Sequence, residues 1–198
     1  MGGGGRGRGR IASATRSMGR ELWRDVRILG VLVGALWAVL LINSAVLGGQ
    51  LNGLGILPRT GTGLRGIFFA PLLHAGPGHL FSNTVGLVLL GGLVLLRDEK
   101  AFWIVTIVGA LVAGLGTWLF GRAALHIGAS GVVFAYFGYL VSAGWFERRV
   151  LSILLSLVAI ALWGGLFFGI LPGQPGISWE GHLFGLIGGA LAAWLLAR

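Results

Sequence analysis

Ser130 is the candidate nucleophile in this sequence. It stands in 125-LHIGASGVVFAYFGYL-140, where a glycine-rich turn becomes an apolar run. A serine hydroxyl attacks a carbonyl carbon when a nearby histidine accepts its proton. The sequence contains no cysteine, which excludes thiol catalysis and thiolate metal sites. It offers four histidines as bases: His74, His79, His126 and His182.

A second polar group comes earlier, in 74-HAGPGHLFSN-83. His79 and Asn83 are four residues apart, so on a helix they share one face. Both carry N–H donors, which with the backbone N–H of Ser130 can stabilise the oxyanion formed during attack on a carbonyl. His74 precedes a Gly-Pro-Gly turn and is expected in a loop or beside the helix start. A single histidine here favours a polar helix end bonded to its own loop, whereas the stacked pair favours function.

Two stripes of small residues predict which helices pack together. They are Gly181, Gly185, Gly189 and Ala193 near the end of the chain, and Gly131, Ala135, Gly138 and Ser142 after the candidate nucleophile. Small residues let membrane helices approach closely. Such packing would bring His182 within hydrogen-bond reach of Ser130. Glu180 is the only carboxylate on that side and should point to a different face from His182, so the sequence predicts a Ser–His dyad without an acidic third member.

The composition indicates an integral membrane protein that holds these residues on helices. Of the 198 residues, 56% are hydrophobic and 11% are charged, whereas soluble domains carry about 25% charged residues. A spanning helix needs about 20 mostly apolar residues. The segments between the charge clusters give six: 28–48, 78–96, 101–120, 127–145, 150–171 and 180–197. We therefore predict an all-α membrane protein with six transmembrane helices.

The basic residues predict the orientation of these helices, because lysine and arginine collect on the cytoplasmic side of membrane proteins. Six spans place both termini on one side. That side receives most of the 15 basic residues, namely Arg6, Arg8, Arg10, Arg16, Arg20, Arg24, Arg27, Arg97, Lys100, Arg148, Arg149 and Arg198. Only Arg59, Arg65 and Arg122 fall on the side of Ser130. Both termini are therefore predicted to be cytoplasmic.

These motifs resemble the rhomboid family of intramembrane serine proteases. Three of them match in order and spacing: His74-x4-His79-x3-Asn83, Gly128-Ala129-Ser130-Gly131, and His182-x2-Gly185-x3-Gly189. The stretches 55-GILPR-59 and 69-FAPLLHAGPGHL-80 extend the resemblance. The expected domains are a disordered basic cytoplasmic tail at 1–27 and a minimal six-helix, rhomboid-like membrane domain at 28–198.

The resemblance implies a role for each candidate residue. Ser130 would be the nucleophile and His182 the general base. The oxyanion and substrate-binding residues would be His79, Asn83, Gly128, His74 and Phe134. Gly128 is expected to free the turn before the helix, and Phe134 to stack on the base where the family commonly has a tyrosine. One departure is the loop between the first two helices, where many bacterial members have a Trp-Arg pair. Here Trp23-Arg24 precedes the first helix instead.

The activity implied is that of a serine endopeptidase. It would cleave single-span membrane proteins within their transmembrane segments, near the non-cytoplasmic face, and would need no cofactor or metal. A multi-pass location in a bacterial plasma (inner) membrane is expected. An organelle membrane stays open, because the acid-poor start of the chain partly resembles a transit peptide. The sequence makes no prediction of the oligomeric state.

Two alternatives from other classes are left open. One is a rhomboid-like protein that binds membrane proteins without cleaving them, although such proteins normally lack the serine or the histidine. The other is a histidine-rich metal-binding membrane protein. The sequence lacks the zinc-binding motif HExxH, which argues against this alternative. Nucleic-acid binding is not expected from the short Arg-Gly tract MGGGGRGRGR, because it has no interleaved aromatic residues.

Overall fold

Long helices make up most of the fold. A computed structural model describes the backbone of residues 4–198 and the side chains of residues 18–198. Within that range the protein is all-helical, apart from one β-bridge between Ile56 and His126. The long helices are α1 (Gly4–Ala45), α2 (Pro77–Arg97), α3 (Glu99–Phe120), α4 (Ser130–Glu147), α5 (Val150–Ile170) and α6 (Trp179–Leu196). The predicted all-α class is confirmed.

The loop between α1 and α2 contains its own short helical turns. They are Gln50–Leu54, Thr62–Arg65, Gly66–Phe69 and Ala70–Leu72. The sequence analysis did not predict them, because each turn is too short to produce a periodic pattern.

Local capping explains where several helices begin. Pro77 occupies the first turn of α2, where its missing N–H costs nothing. The carboxylate of Asp98 accepts hydrogen bonds from the first backbone N–H groups of α3. The hydroxyl oxygen of Ser178 accepts from the N–H of Gly181 at 3.3 Å at the start of α6. These starts lie within two residues of the predicted ones.

Two helices are irregular where they approach the candidate site. Residues Leu87–Gly91 in the middle of α2 form a π-helical turn. The last part of α5, Gly164–Ile170, tightens into a 3₁₀ helix. Both forms disturb the regular i to i−4 bonding, and both occur often at functional sites or helix ends.

Five helices in the described residues are long and apolar enough to cross a membrane. They are α2, α3, α5, α6 and the part of α1 from Met18 to Ala45. The remaining predicted span, 127–145, coincides with α4, which is less apolar. Residues 132–140 of α4 are all buried in the bundle, so most of this helix faces protein and not lipid. The six-span count therefore stays a prediction.

Close packing of α4 against α6 confirms the interpretation of the two small-residue stripes. A Cβ atom added to Gly185 would lie 3.1 Å from the Cα of Gly131, and one added to Gly189 would lie 2.7 Å from the backbone N of Tyr139. In the other direction, a Cβ on Gly138 would lie 3.1 Å from the Cα of Leu186. The two backbones touch directly, which only glycine permits at these positions.

Helix α1 crosses the predicted boundary between tail and membrane domain at residue 28. Its helix extends from Gly4 to Ala45, whereas a disordered tail was predicted for residues 1–27. At residues 18–27 the prediction therefore differs from the structure. There Arg24 forms an ion pair with the adjacent Asp25 and a second one with Glu99 at the start of α3, and the second joins this part of α1 to α3. Residues 1–3, and the side chains of residues 4–17, lie outside the described part.

A polar network joins three helices at the end of the bundle opposite Ser130. Arg97 at the end of α2 pairs with Glu147 at the end of α4. Ser152 in the first turn of α5 donates to Glu147 at 2.7 Å and accepts from Arg97 at 3.0 Å. Because these groups are shielded from water, their mutual attraction is stronger than that of exposed charges. The network joins the C-terminal ends of α2 and α4 to the N-terminal end of α5.

Candidate active site

One large cavity brings most of the predicted site residues together. Its volume is about 1200 Å³, and its lining includes Ser130, His182, His79, Asn83 and Phe134. These residues come from α2, α4 and α6, so the convergence is produced by the packing of the bundle. Helices α2 and α5 also contribute apolar side chains to the cavity lining.

Ser130 lies at the first residue of α4, and the preceding loop is held by three contacts. Ile56 and His126 exchange two backbone hydrogen bonds of 2.9 Å, and the N–H of Gly128 donates to the carbonyl of Ala70 at 2.8 Å. The N–H of Ala129 lies 3.4 Å from Nε2 of His74. Gly128 has a φ of 123°, a left-handed conformation that favours glycine. The predicted freedom of Gly128 is therefore required by the backbone.

His182 is oriented by two contacts. Its ring stacks on Phe134 with centroids 4.0 Å apart and planes 10° from parallel, as the sequence analysis expected. Its Nδ1–H donates to the carbonyl oxygen of Gly169 at 2.9 Å. A neutral imidazole that donates from Nδ1 has an unprotonated Nε2, which is the atom needed to accept a proton. His182 is thus held in the tautomer of a general base.

Ser130 and His182 share the cavity without a direct hydrogen bond between their side chains in the described residues 18–198. In enzymes without substrate such hydrogen bonds are often long, and they tighten when substrate binds. The backbone contact of Gly185 with Gly131 supports their proximity, because these glycines follow His182 by three residues and Ser130 by one.

Hydrogen-bond donors from α2 lie against the loop that leads to Ser130. A Cβ on Gly128 would lie 2.7 Å from Nε2 of His79 and 3.4 Å from Nδ2 of Asn83. Nδ1 of His79 accepts from the N–H of Ala75 at 3.4 Å, so a neutral His79 carries its proton on Nε2. Nδ2 of Asn83 is buried and has no hydrogen-bond partner within the described residues. Both donors are therefore free to bind an oxygen atom in the cavity.

His74 lies behind His79 and does not line the cavity. Its side chain is buried and meets the ring of His79 edge-on, with centroids 5.1 Å apart. Burial, helped by the nearby His79, lowers the pKa of His74 to about 4, so the ring is neutral at physiological pH. From this position His74 packs against His79 and contacts the 121–129 loop. A direct contact of His74 with substrate stays a prediction.

His126 and Glu180 also lie on this side and bond to groups other than Ser130 and His182, although Oε2 of Glu180 is buried without a hydrogen-bond partner in the described residues. Nε2–H of His126 donates to the carbonyl of Arg122 at 3.1 Å, and Nδ1 lies 2.7 Å from the hydroxyl of Ser178. Oε1 of Glu180 accepts from the N–H of Arg122 at 2.9 Å, which agrees with the expectation that Glu180 points away from His182. In the described part of the chain, no three side chains of His, Asp or Glu form a group able to hold a metal ion.

Gly169 contacts a candidate site residue and is not predicted from the sequence. It contributes a backbone carbonyl, which every residue has, and it precedes His182 by 13 residues in a different helix. No residue type or sequence spacing predicts a contact made by a backbone carbonyl. The only signal is that Gly169 is a glycine at a crowded point, where a Cβ would lie 2.8 Å from Cζ of Phe134.

Comparison with known proteins gives one family model that covers most of the chain. Residues 62–198 match the model described as Rhomboid domain. An uncharacterized protein of Mycobacterium tuberculosis is 40% identical over 174 residues, which are 83% of this chain and 72% of that protein. A Mycobacterium leprae protein is 41% identical over 143 residues, 68% of this chain and 57% of the relative. The Bacillus subtilis protein named "Putative rhomboid protease YdcA" is 30% identical over 131 residues, 64% of each chain.

Proposed function

Because this chain belongs to the rhomboid family, we propose that it is an intramembrane serine endopeptidase with a Ser130–His182 dyad. The observation that carries the proposal is the convergence of Ser130, His182 and two free N–H donors on one cavity of a multi-pass membrane protein. A nucleophile, a base and oxyanion donors are the groups that acyl transfer requires.

The proposed reaction begins with attack of the Ser130 hydroxyl oxygen on a peptide carbonyl carbon. Nε2 of His182 takes the hydroxyl proton as the new C–O bond forms. The N–H groups of Ser130, His79 and Asn83 stabilise the resulting oxyanion. His182 then gives its proton to the leaving amine as the C–N bond breaks, which leaves an acyl-enzyme on Ser130. A water molecule, deprotonated by His182, hydrolyses this ester and restores the serine.

The proposed substrates are single-span membrane proteins, cleaved near the non-cytoplasmic face. Phe81 and Val85 of α2 and Trp163 and Leu166 of α5 give the cavity an apolar flank between two helices, which suits a substrate arriving from lipid. A helix in lipid keeps its carbonyls in internal hydrogen bonds, so the substrate must unwind locally before Ser130 can attack. The 172–178 loop after α5 would move aside to admit it.

The second candidate is a rhomboid-like protein that binds membrane proteins without cleaving them. The observation in favour of this binding protein is that the side chains of Ser130 and His182 form no hydrogen bond in the described residues. It predicts binding of a transmembrane segment in the same cavity, with no product released. We further propose a bacterial inner-membrane location, in keeping with the bacterial relatives.

Cleavage of a model transmembrane substrate by the purified protein in proteoliposomes tests the proposal. We expect cleavage that persists with a metal chelator and falls by at least about 1000-fold in Ser130→Ala and His182→Ala, because the two residues act as one unit. Ser142→Ala, on the same helix as Ser130, is the matched control and should cleave normally. Bound but uncut substrate would favour the binding protein, and loss of cleavage with chelator alone would contradict the dyad.

A further inference from the structure

The carbonyl oxygen of Gly169 occupies the position at which serine hydrolases usually place a carboxylate beside the base. It lies 2.9 Å from Nδ1 of His182. The nearest acidic residue in sequence, Glu180, makes no hydrogen bond to His182 in the described residues: its Oε1 accepts from the backbone N–H of Arg122, and its Oε2 is buried without a hydrogen-bond partner there. A carboxylate orients the imidazole and keeps the proton on Nδ1, and a neutral carbonyl can do the same because it only accepts hydrogen bonds.

The 3₁₀ segment Gly164–Ile170 leaves this carbonyl available. The last carbonyl groups of a helix have no partner within the helix. Here the carbonyl of Phe168 accepts both from the N–H of Leu171 at 3.2 Å and from the side-chain amide of Gln174 at 2.7 Å. The next carbonyl, that of Gly169, accepts from His182.

Glycine is required at residue 169 because the segment presses against the stacked rings. An added Cβ would lie 2.8 Å from Cζ of Phe134 and 3.2 Å from Nδ1 of His182. The stacking of Phe134 fixes the plane of the imidazole, but it does not decide which nitrogen carries the proton. Among the described residues, the Gly169 carbonyl is the hydrogen-bond partner of the His182 ring, and it favours the proton on Nδ1.

We propose that the Gly169 carbonyl is a positioning group that holds His182 as the Nδ1–H tautomer while the end of α5 is packed against the cavity. This rests on the proposed function. The same segment of α5 walls the flank through which substrate would enter, so outward movement of α5 takes the acceptor away from His182. The base is therefore competent only after α5 has returned, and water is not activated while the flank is open.

The proposal is tested first without any substrate, by ¹⁵N NMR of histidine-labelled protein. Nδ1–H and Nε2–H tautomers have distinct ¹⁵N shifts, and loss of one signal in His182→Asn assigns the residue. We expect His182 to be wholly Nδ1–H in the unmodified protein and in Gly164→Ala, the matched control on the same segment. The Cβ of that control meets only Cγ2 of Ile160, at 3.9 Å. In Gly169→Ala we expect a mixture of tautomers.

Kinetics on the same three proteins complete the test. Because general-base catalysis contributes about 10²–10⁴-fold, Gly169→Ala should lower kcat roughly 10- to 100-fold with KM changed less than about 3-fold, whereas Gly164→Ala should change neither. An unaltered tautomer or an unaltered kcat in Gly169→Ala overturns the proposal. A raised KM with normal kcat would make Gly169 only part of the cavity wall. If the unmodified protein cleaves nothing, the proposed function fails, and the NMR result still decides the tautomer.

Discussion

At the scale of single residues, the candidate site separates groups that meet the reacting atoms from groups that hold them. Ser130, His182, His79, Asn83 and His126 all line the cavity, but both ring nitrogens of His126 are engaged with Arg122 and Ser178. His74 lies outside the lining and contacts the loop before α4. Among the residues that line the cavity, Asn83 has the clearest structural sign of a functional role. Its Nδ2 is buried without a partner in the described residues, and an unpaired buried donor is costly unless it serves a function.

Asn83→Ala should therefore reduce catalysis without reducing stability. Loss of one oxyanion donor typically lowers kcat about 10²–10³-fold, and the removed amide donates no hydrogen bond in the resting protein. We expect kcat to decrease by a factor in that range and KM to stay nearly constant. The midpoint of unfolding in detergent should be unchanged.

Thr84→Val, at the residue after Asn83, should have the opposite effect: it should reduce stability without reducing catalysis. The Thr84 hydroxyl accepts from the indole N–H of Trp37 at 3.2 Å, which links α2 to α1. Its removal should cost about 0.5–1.5 kcal/mol of stability and leave kcat unchanged. Equal stability losses in both variants would show that Asn83 is a structural residue.

The convergence of the candidate side chains on one cavity could be predicted from sequence, whereas their orientation could not. Ser130, His182, His79 and Asn83 are rare polar groups in an apolar chain, so their types and spacing carry information. The Gly169 carbonyl is chemically the same as every other backbone carbonyl. Its role depends on where the end of α5 lies relative to α6, which is a property of tertiary packing alone.

At the scale of the helices, contact between α4 and α6 brings Ser130 and His182 to one cavity. The glycine stripes predicted this contact, since only small residues permit two backbones to touch. The extent of α1 and the short turns between α1 and α2 were not predicted. The contacts seen there are an ion pair between Arg24 and Glu99 and individual backbone turn bonds, which leave no apolar periodicity in the sequence.

Gly189→Ala tests the importance of this contact. The added methyl group would meet the backbone of α4 near Tyr139, and a backbone cannot rotate away as a side chain can. We expect a loss of roughly 1–3 kcal/mol in stability, measured by thermal unfolding in detergent. Gly30→Ala on α1, where the methyl group meets nothing within 4 Å, is the control. A stable Gly189→Ala protein would contradict close packing of α4 on α6.

At the scale of the whole molecule, the protein is a multi-pass membrane protein whose orientation is predicted by charge. The arginines concentrate at the end of the bundle opposite Ser130, where Arg97, Arg148 and Arg149 follow the helix ends. Because positive charge is retained in the cytoplasm, the cavity should open toward the opposite face. The substrate would then be cut near the non-cytoplasmic surface.

Labelling of single introduced cysteines checks this orientation, since the chain has no cysteine of its own. Met18, Thr62 and Ala197 are exposed positions outside the candidate site. In intact bacterial cells, Thr62→Cys should react with a membrane-impermeant maleimide. Met18→Cys and Ala197→Cys should react only after the inner membrane is permeabilised. Reaction of Ala197→Cys in intact cells would reverse the predicted topology.

The network of Arg97, Glu147 and Ser152 gives α5 a fulcrum at the end far from the cavity. At about 1.5 Å per residue, Val150–Ile170 forms a lever arm of about 30 Å. A rigid tilt of about 2° about the network therefore displaces the far tip by about 1 Å. Added to the 2.9 Å between Gly169 and His182, that displacement exceeds hydrogen-bond range. If Gly169 positions His182 as proposed, lateral forces from the surrounding lipid would therefore change which ring nitrogen of His182 carries the proton.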